Sequence, residues 1–213
     1  MKEEQTMEIK NPKWLETVLD GKVVYGLDQE WYEDKFRRLA GCGPVTAATT
    51  LMYIGKREGG LPDYVNSDME KILFMLNDVW QYVRPGVKGL HKVENYVRGV
   101  NKLCKNYGVG WECRHIKVSK NTPVAHAAAF IESGISNDSP VAFLNLHKGD
   151  VAAFDSWHWF ALTGIRMEDG KYILNGVDEG RKLEFDLDRW IATTKKGGGF
   201  AYVTVNREQE TPK

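Results

Sequence analysis

Gly41-Cys42-Gly43-Pro44-Val45-Thr46-Ala47-Ala48-Thr49-Thr50-Leu51-Met52-Tyr53-Ile54 is the stretch on which the fold turns. Val45 to Ile54 carries no charge. Gly-Pro directly before it is a helix-start signal, because proline's fixed φ suits a first turn. A helix with no charged face is most easily placed inside a protein. It opens at Cys42. A helix N-terminus presents unpaired N–H groups and a partial positive charge. Both favour a thiolate over a thiol, and the thiolate is the nucleophile. The flanking glycines are expected to let the backbone approach a substrate closely. The competing reading is a small core cysteine, the commoner fate of a free thiol.

Outward from this stretch, the first half of the chain reads as mostly helical. Asp68 to Val83 has Met69, Ile72, Leu73, Leu76, Val79 and Trp80 at helical spacing, and Leu90 to Tyr107 repeats the pattern with Val93, Val97, Val100 and Cys104. Gly108 is a plausible C-cap for it. A short helix is expected over 124–131. The second half turns to strands. Pro140 to Leu146 is a short apolar run, and Trp157 to Ile165 is apolar at alternate positions on both faces, as in a central covered strand. Glu168-Asp169-Gly170 signals a hairpin. Tyr172 to Val177 is the return strand, and Lys182 to Phe185 and Phe200 to Val205 are two more. Helices followed by an antiparallel sheet is an α+β pattern. One domain is expected over 1–207, helical to about 135 and sheet from about 136, with a polar tail over 208–213.

Ser156-Trp157-His158-Trp159-Phe160 puts a histidine at the start of the central strand. A histidine between tryptophans is often only a satisfied core residue. The return strand changes that reading. A two-residue loop at Glu168-Asp169 places His158 across from about Glu179, and a loop at Asp169-Gly170 places it across from Arg181. In both registers Asp178 lies within a few residues, at roughly 3.3 Å per residue along the strand, and Asn175 lies further along. A carboxylate beside the ring would orient the imidazole and stabilise its charged form.

Gly-Cys-Gly-Pro opening a helix, Trp-His-Trp opening a strand and Val177-Asp178-Glu179-Gly180 on the next strand together resemble the papain-like cysteine peptidases. The likeness is greatest to the bacterial branch that includes the bacteriocin-processing, double-glycine leader peptidases. It reaches from about Gln29 to Val205, and the chain order Cys, His, Asp fits that family. The resemblance implies a papain-like fold, a helical lobe with the nucleophile packed on a sheet lobe. It implies Cys42 as nucleophile, His158 as base and Asp178 as the orienting acid. The family also places a glutamine a few residues before the nucleophile to bind the oxyanion. Here positions 36 to 40 read Phe-Arg-Arg-Leu-Ala, and the nearest glutamine is Gln29. Gln29 is either brought to the site by an inserted turn or is an exposed loop residue.

The implied chemistry is acyl transfer on a peptide or other acyl substrate through a thioester, with no cofactor. A non-peptidase amidase, transamidase or thioesterase is the runner-up on the same fold. An inactive papain-like binding module is the rival from a different class. The Cys-His-Asp set argues against that rival, and the unplaced glutamine argues for it.

Composition bounds the alternatives. The 213 residues are 42% hydrophobic and 27% charged, as in an ordinary globular protein. Lys plus Arg and Asp plus Glu both total 29, so neither nucleic acid nor a membrane surface is expected as a partner. The N-terminus is charged with no apolar stretch behind it, so no ordinary secretory signal is expected. Three cysteines suit a reducing compartment, and a cytoplasmic location is expected. Cys104, Cys113 and His115 supply at most three ligands without a short paired spacing, so they are not read as a zinc site. His147 ends a strand and is a rival base without an acid partner downstream. His91 and His126 fall in helical segments and read as surface or packing residues. Asn137-Asp138-Ser139 matches a glycosylation sequon of little meaning in a cytoplasmic chain. Gly197 to Gly199 reads as a flexible loop before the last strand, at the cleft rim.

Overall fold

In a computed structural model of the chain, residues 6–19, 21–62 and 68–206 are described. The uncharged stretch forms the helix expected of it, and extends it at both ends. Taking elements in chain order, the strands are β1 (Thr6–Glu8), β2 (Glu16–Leu19), β3 (Lys22–Tyr25), β4 (Trp111–Val118), β5 (Val141–Asn145), β6 (His158–Glu168), β7 (Lys171–Asp178), β8 (Arg181–Asp186) and β9 (Gly198–Val205). The helices are α1 (Lys35–Ala40), α2 (Cys42–Glu58), α3 (Met69–Tyr82), α4 (Val93–Asn106), α5 (Val124–Ser136) and α6 (Leu187–Thr193), with 3-10 turns at Pro12–Leu15 and Gln29–Trp31. The class is α+β. Among the described residues no helix is long and apolar enough to cross a membrane.

α2 buries an unbroken run from Gly43 to Ile54, because it has no polar face to offer solvent. It packs on the central strands of an antiparallel sheet whose order is β4-β9-β5-β6-β7-β8. β6 is buried from Trp159 through Ile165 on both of its faces, with α2 and α5 packed against it. Phe143, Phe160, Phe185, Phe200 and Trp190 bring their rings together at the sheet centre. β2 and β3 form a separate hairpin. It is held to the main sheet where the Tyr25 N–H donates to the Gly180 carbonyl over 2.9 Å.

The β6–β7 hairpin sets the register at the site. Its turn is Asp169-Gly170, both at positive φ (49° and 79°), with Glu168 opposite Lys171. That is the two-residue geometry whose twist matches paired strands. An unbroken ladder from this turn would bring His158 opposite Arg181. It is broken between Leu162 and Gly164, where a one-residue bulge at Thr163 shifts the pairing to Leu162 with Gly176 and Ala161 with Val177. Continued to the end of β6, this register sets His158 across from Gly180, with Asp178 two residues away on the same face. β1 adds a further strand here: its Glu8 pairs with Gly164, and the Ile9 N–H donates to the Thr163 carbonyl.

Two expectations change. The region before residue 135 is not purely helical, since β1, β2, β3 and β4 lie in it and β4 pairs along its whole length with β9. Gly197 to Gly199 is not a flexible loop: Gly198 and Gly199 are strand residues paired to both β4 and β5. A side chain at Gly198 would overlap the Leu144 carbonyl, so close backbone packing is what selects glycine. The sequon residues are structural. Asp138 is buried, and its carboxylate accepts from the Tyr53 hydroxyl (2.6 Å) and the Lys10 N–H (2.8 Å). The tail expected over 208–213 lies outside the described residues.

Candidate active site

α2 starts at Cys42 with Gly41 as its N-cap and no side chain capping it. Pro44 has no N–H, so the first-turn donors free of the helix ladder include those of Cys42 and Gly43. The glycines beside Cys42 are required by the protein rather than by a substrate. A side chain at Gly41 would strike the Arg37 carbonyl and the Tyr32 ring, and one at Gly43 would strike Leu90. They let α1 and the loop carrying Leu90 close against the helix start.

His158 is the first residue of β6, and Asp178 is the last of β7 before the Glu179-Gly180 turn (φ 45° and 75°). His158 Nε2 and Asp178 Oδ1 are 2.7 Å apart, and their side chains are only 13% and 12% exposed. Nε2 faces the carboxylate, and Cys42 is the other polar group brought against the ring, in the slot that both residues line. Burial is the largest influence on the ring and disfavours its charged form. The hydrogen bonds to Asp178 and Cys42 and the charges of both outweigh it, so the pKa rises to about 10. The imidazolium therefore persists through neutral pH.

The surroundings fix the ring. Trp159 is buried, stacks on Tyr96 with centroids 4.6 Å apart, and donates from Nε1 to the Leu90 carbonyl over 2.6 Å. Asn145, opposite His158 on β5, donates to the Asp155 carbonyl and accepts from the Trp190 indole. That ties down the loop leading into His158.

Gln29 lines the same narrow slot as Cys42, His158 and Asp178, a space of about 10 Å³ that has room for about one water molecule. The 3-10 turn carrying Gln29 is set on α2 by the Leu27 N–H, which donates to Thr49 Oγ1 over 3.3 Å. α1 occupies the sequence between the turn carrying Gln29 and Cys42, and both ends of that segment meet at the slot. Gln29 Oε1 is buried without a hydrogen-bond partner among the described residues.

The other candidates are accounted for. Asn175 lies beyond the bulge and accepts from Arg166 over 3.2 Å. His147 is not in the slot; its Nδ1 accepts from the Gly149 N–H at 3.0 Å, and its carbonyl from Trp190 and Thr194. Cys104 and Cys113 are both buried, and burial pushes the Cys104 thiol up to about 12 and Cys113 higher still. Among the described residues no cluster of His, Cys, Asp and Glu is placed to hold a metal ion. One site residue carries no role in the sequence reading. Glu179 lines the slot, and burial, then the charge of Asp178, raise its carboxyl pKa above the usual range. Its only sequence signal is its place beside Asp178.

No protein-family model matches the chain, and no curated protein matches it in sequence.

Proposed function

We propose that this chain is a papain-like cysteine hydrolase that cleaves an amide or related acyl bond through a thioester on Cys42. The observation that carries the reading is the grouping of three side chains in one slot: a cysteine at an uncapped helix N-terminus, an imidazole lining the same slot, and a carboxylate 2.7 Å from that ring. The Cys42 sulfur attacks the carbonyl carbon and forms a C–S bond, and the carbonyl electrons move to oxygen. The Cys42 N–H and the Gln29 side-chain amide are the donors for that oxyanion. The His158 imidazolium gives its proton to the leaving nitrogen or oxygen as the bond to carbon breaks. Neutral His158 then takes a proton from water, the resulting hydroxide attacks the thioester, and the acid is released with the sulfur restored. Asp178 holds the ring and its charge throughout.

The test is limited alkylation with iodoacetamide at pH 7, read by mass spectrometry. Cys42 should be modified well before Cys104 and Cys113, and His158→Ala should slow its modification. Labelling of Cys42 no faster than that of the two buried thiols would remove the nucleophile from the scheme. Turnover of a peptide and acyl-ester library, with Cys42→Ala as blank, then identifies the bond.

A further inference from the structure

Two cavities share Cys42. The slot holds the catalytic side chains and is almost filled by them, whereas the second is a groove of about 310 Å³. The groove is walled by Phe36, Leu39, Val87, Leu144, Leu146 and Trp157. Large apolar side chains that stand in solvent are few in this chain, and four of them (Phe36 at 49%, Leu39 at 83%, Val87 at 102% and Trp157 at 52%) meet here. Such a concentration marks a surface that is covered in use. Phe36 and Leu39 come from α1, the segment inserted between Gln29 and Cys42, so the insertion builds one wall of the groove. Trp157 adjoins His158 at φ 61°, a conformation costly for a bulky residue, and it persists where a site over-determines it. The groove has no carboxylate in its lining. Apart from Cys42, its charged or titratable residues are Lys88 and His91, and Lys196 lies over the Trp157 ring at 4.6 Å.

We infer that the substrate is an acyl donor carrying, next to the scissile carbonyl, a bulky apolar group without positive charge, and that this group occupies the groove. The inference rests on Cys42 being the nucleophile. A slot with room for about one water cannot take such a group, and a groove continuous with the sulfur can. A glycine beside the scissile bond would leave the exposed walls of Phe36, Leu39, Val87 and Trp157 in water. An ammonium there would meet Lys88 and Lys196 and no carboxylate of the lining.

The experiment compares rates of Cys42 alkylation by iodoacetamide, N-hexyl-iodoacetamide and N-(6-ammoniohexyl)-iodoacetamide, each normalised to its rate with glutathione. In every case the sulfur displaces iodide. Each fully buried methylene is worth about fourfold, so even partial burial of the hexyl chain gives roughly tenfold or more over the parent reagent. The ammonium reagent should lose most of that gain. In the double variant Leu39→Asp, Val87→Asp the ratio of hexyl to parent rate should fall close to one. Both side chains face solvent, so these changes do not touch the core. A reactive Cys42 that is blind to chain length, or a hexyl preference that survives the double variant, overturns the inference and leaves the hydrolase reading standing. A Cys42 inert to all three reagents overturns both. Hexanoyl and N-acetyl-leucyl 4-nitrophenyl esters then separate a straight acyl chain from a peptide side chain. At least one should turn over tenfold or more faster than its acetyl or N-acetylglycyl counterpart, and parity in both series again overturns the inference.

Discussion

Asp178→Asn removes one charge from the site and keeps the shape and the acceptor oxygen. The His158 and Asp178 side chains are 2.7 Å apart at their nearest atoms and are both nearly buried, so solvent screens the pair little. With charge centres about 4 Å apart and an effective dielectric near 20, the attraction is about 4 kcal/mol, which moves a titration midpoint by about three pH units. His158 should therefore titrate near pH 10 in the native chain and near 7 in Asp178→Asn. The assay is an NMR titration of the imidazole signals from pH 5 to 11, with the other four histidines as internal references. Asn175→Ala, which removes an acceptor of Arg166 on the far side of the bulge, should leave the His158 midpoint in place. The same charge appears in stability. A histidine raised above its unfolded value of about 6.5 stabilises the fold fully below that pH, and the contribution is lost as pH rises through the folded midpoint. Cys42 also acts on the ring, so the clean measurement is in Cys42→Ala. There, urea unfolding should weaken between pH 6 and pH 9.5, and adding Asp178→Asn should flatten that slope. A His158 midpoint near 6.5 in the native chain, or one unmoved by Asp178→Asn, would refute the assignment of Asp178 as the group that charges the ring.

Two further outcomes follow from the geometry. Gln29→Ala should cut turnover ~10²–10³-fold while Cys42 alkylation keeps its rate, because displacement of iodide builds no oxyanion; unchanged turnover would move the second oxyanion donor elsewhere. Gly198→Ala should destabilise the fold by about 3 kcal/mol or more in urea unfolding, since the new methyl would overlap the Leu144 carbonyl of a paired strand that cannot yield. A loss under about 1 kcal/mol would show that β5 and β9 are less closely paired than described.

The parts of this fold that the sequence shows are those where one strong pattern acts alone. The uncharged run Val45–Ile54 could only be buried, and α3 and α4 each carry a full apolar stripe, so their positions follow from periodicity. β4 also alternates at first, with Trp111 and Cys113 buried and Glu112 and Arg114 exposed, but the alternation lapses at His115 and Ile116, so the pattern is too short to stand out. α1 and α6 are too short for periodicity; their signals are the capping residues Asp34 and Asp186. Gly197–Gly199 has the composition of a loop, and only its close three-strand pairing explains it. For the site, Cys42 and His158 are legible because each stands at the start of an element that the sequence defines. Gln29 is not, because its approach depends on how α1 folds back between it and Cys42.

Asp178 is the instructive case, because its nearness was legible and its face was not. Side chains alternate along a strand, so a shift of one residue in pairing exchanges the two faces. From the Asp169-Gly170 turn, an uninterrupted ladder would group His158 with Val177, Glu179 and Arg181 and would turn Asp178 to the opposite side. The bulge at Thr163 reverses this. It lies where β6 changes partners on its other edge, from β5, whose pairing ends at Leu162, to β1, whose pairing begins at Gly164. The Ile9 N–H bonds the Thr163 carbonyl at that junction. Two short strands far apart in the sequence thus share one edge of β6, and the irregularity sits at the seam between them. A bulge increases local twist and re-aims the residues on one side of it relative to the other. Here the residues re-aimed are Leu162 back to His158, and the consequence is that a carboxylate one strand away comes to lie behind the imidazole. The His158–Asp178 contact is therefore a product of the sheet's edge as much as of the two residues that make it. No local motif encodes that, since the bulge depends on a strand more than 150 residues earlier in the sequence.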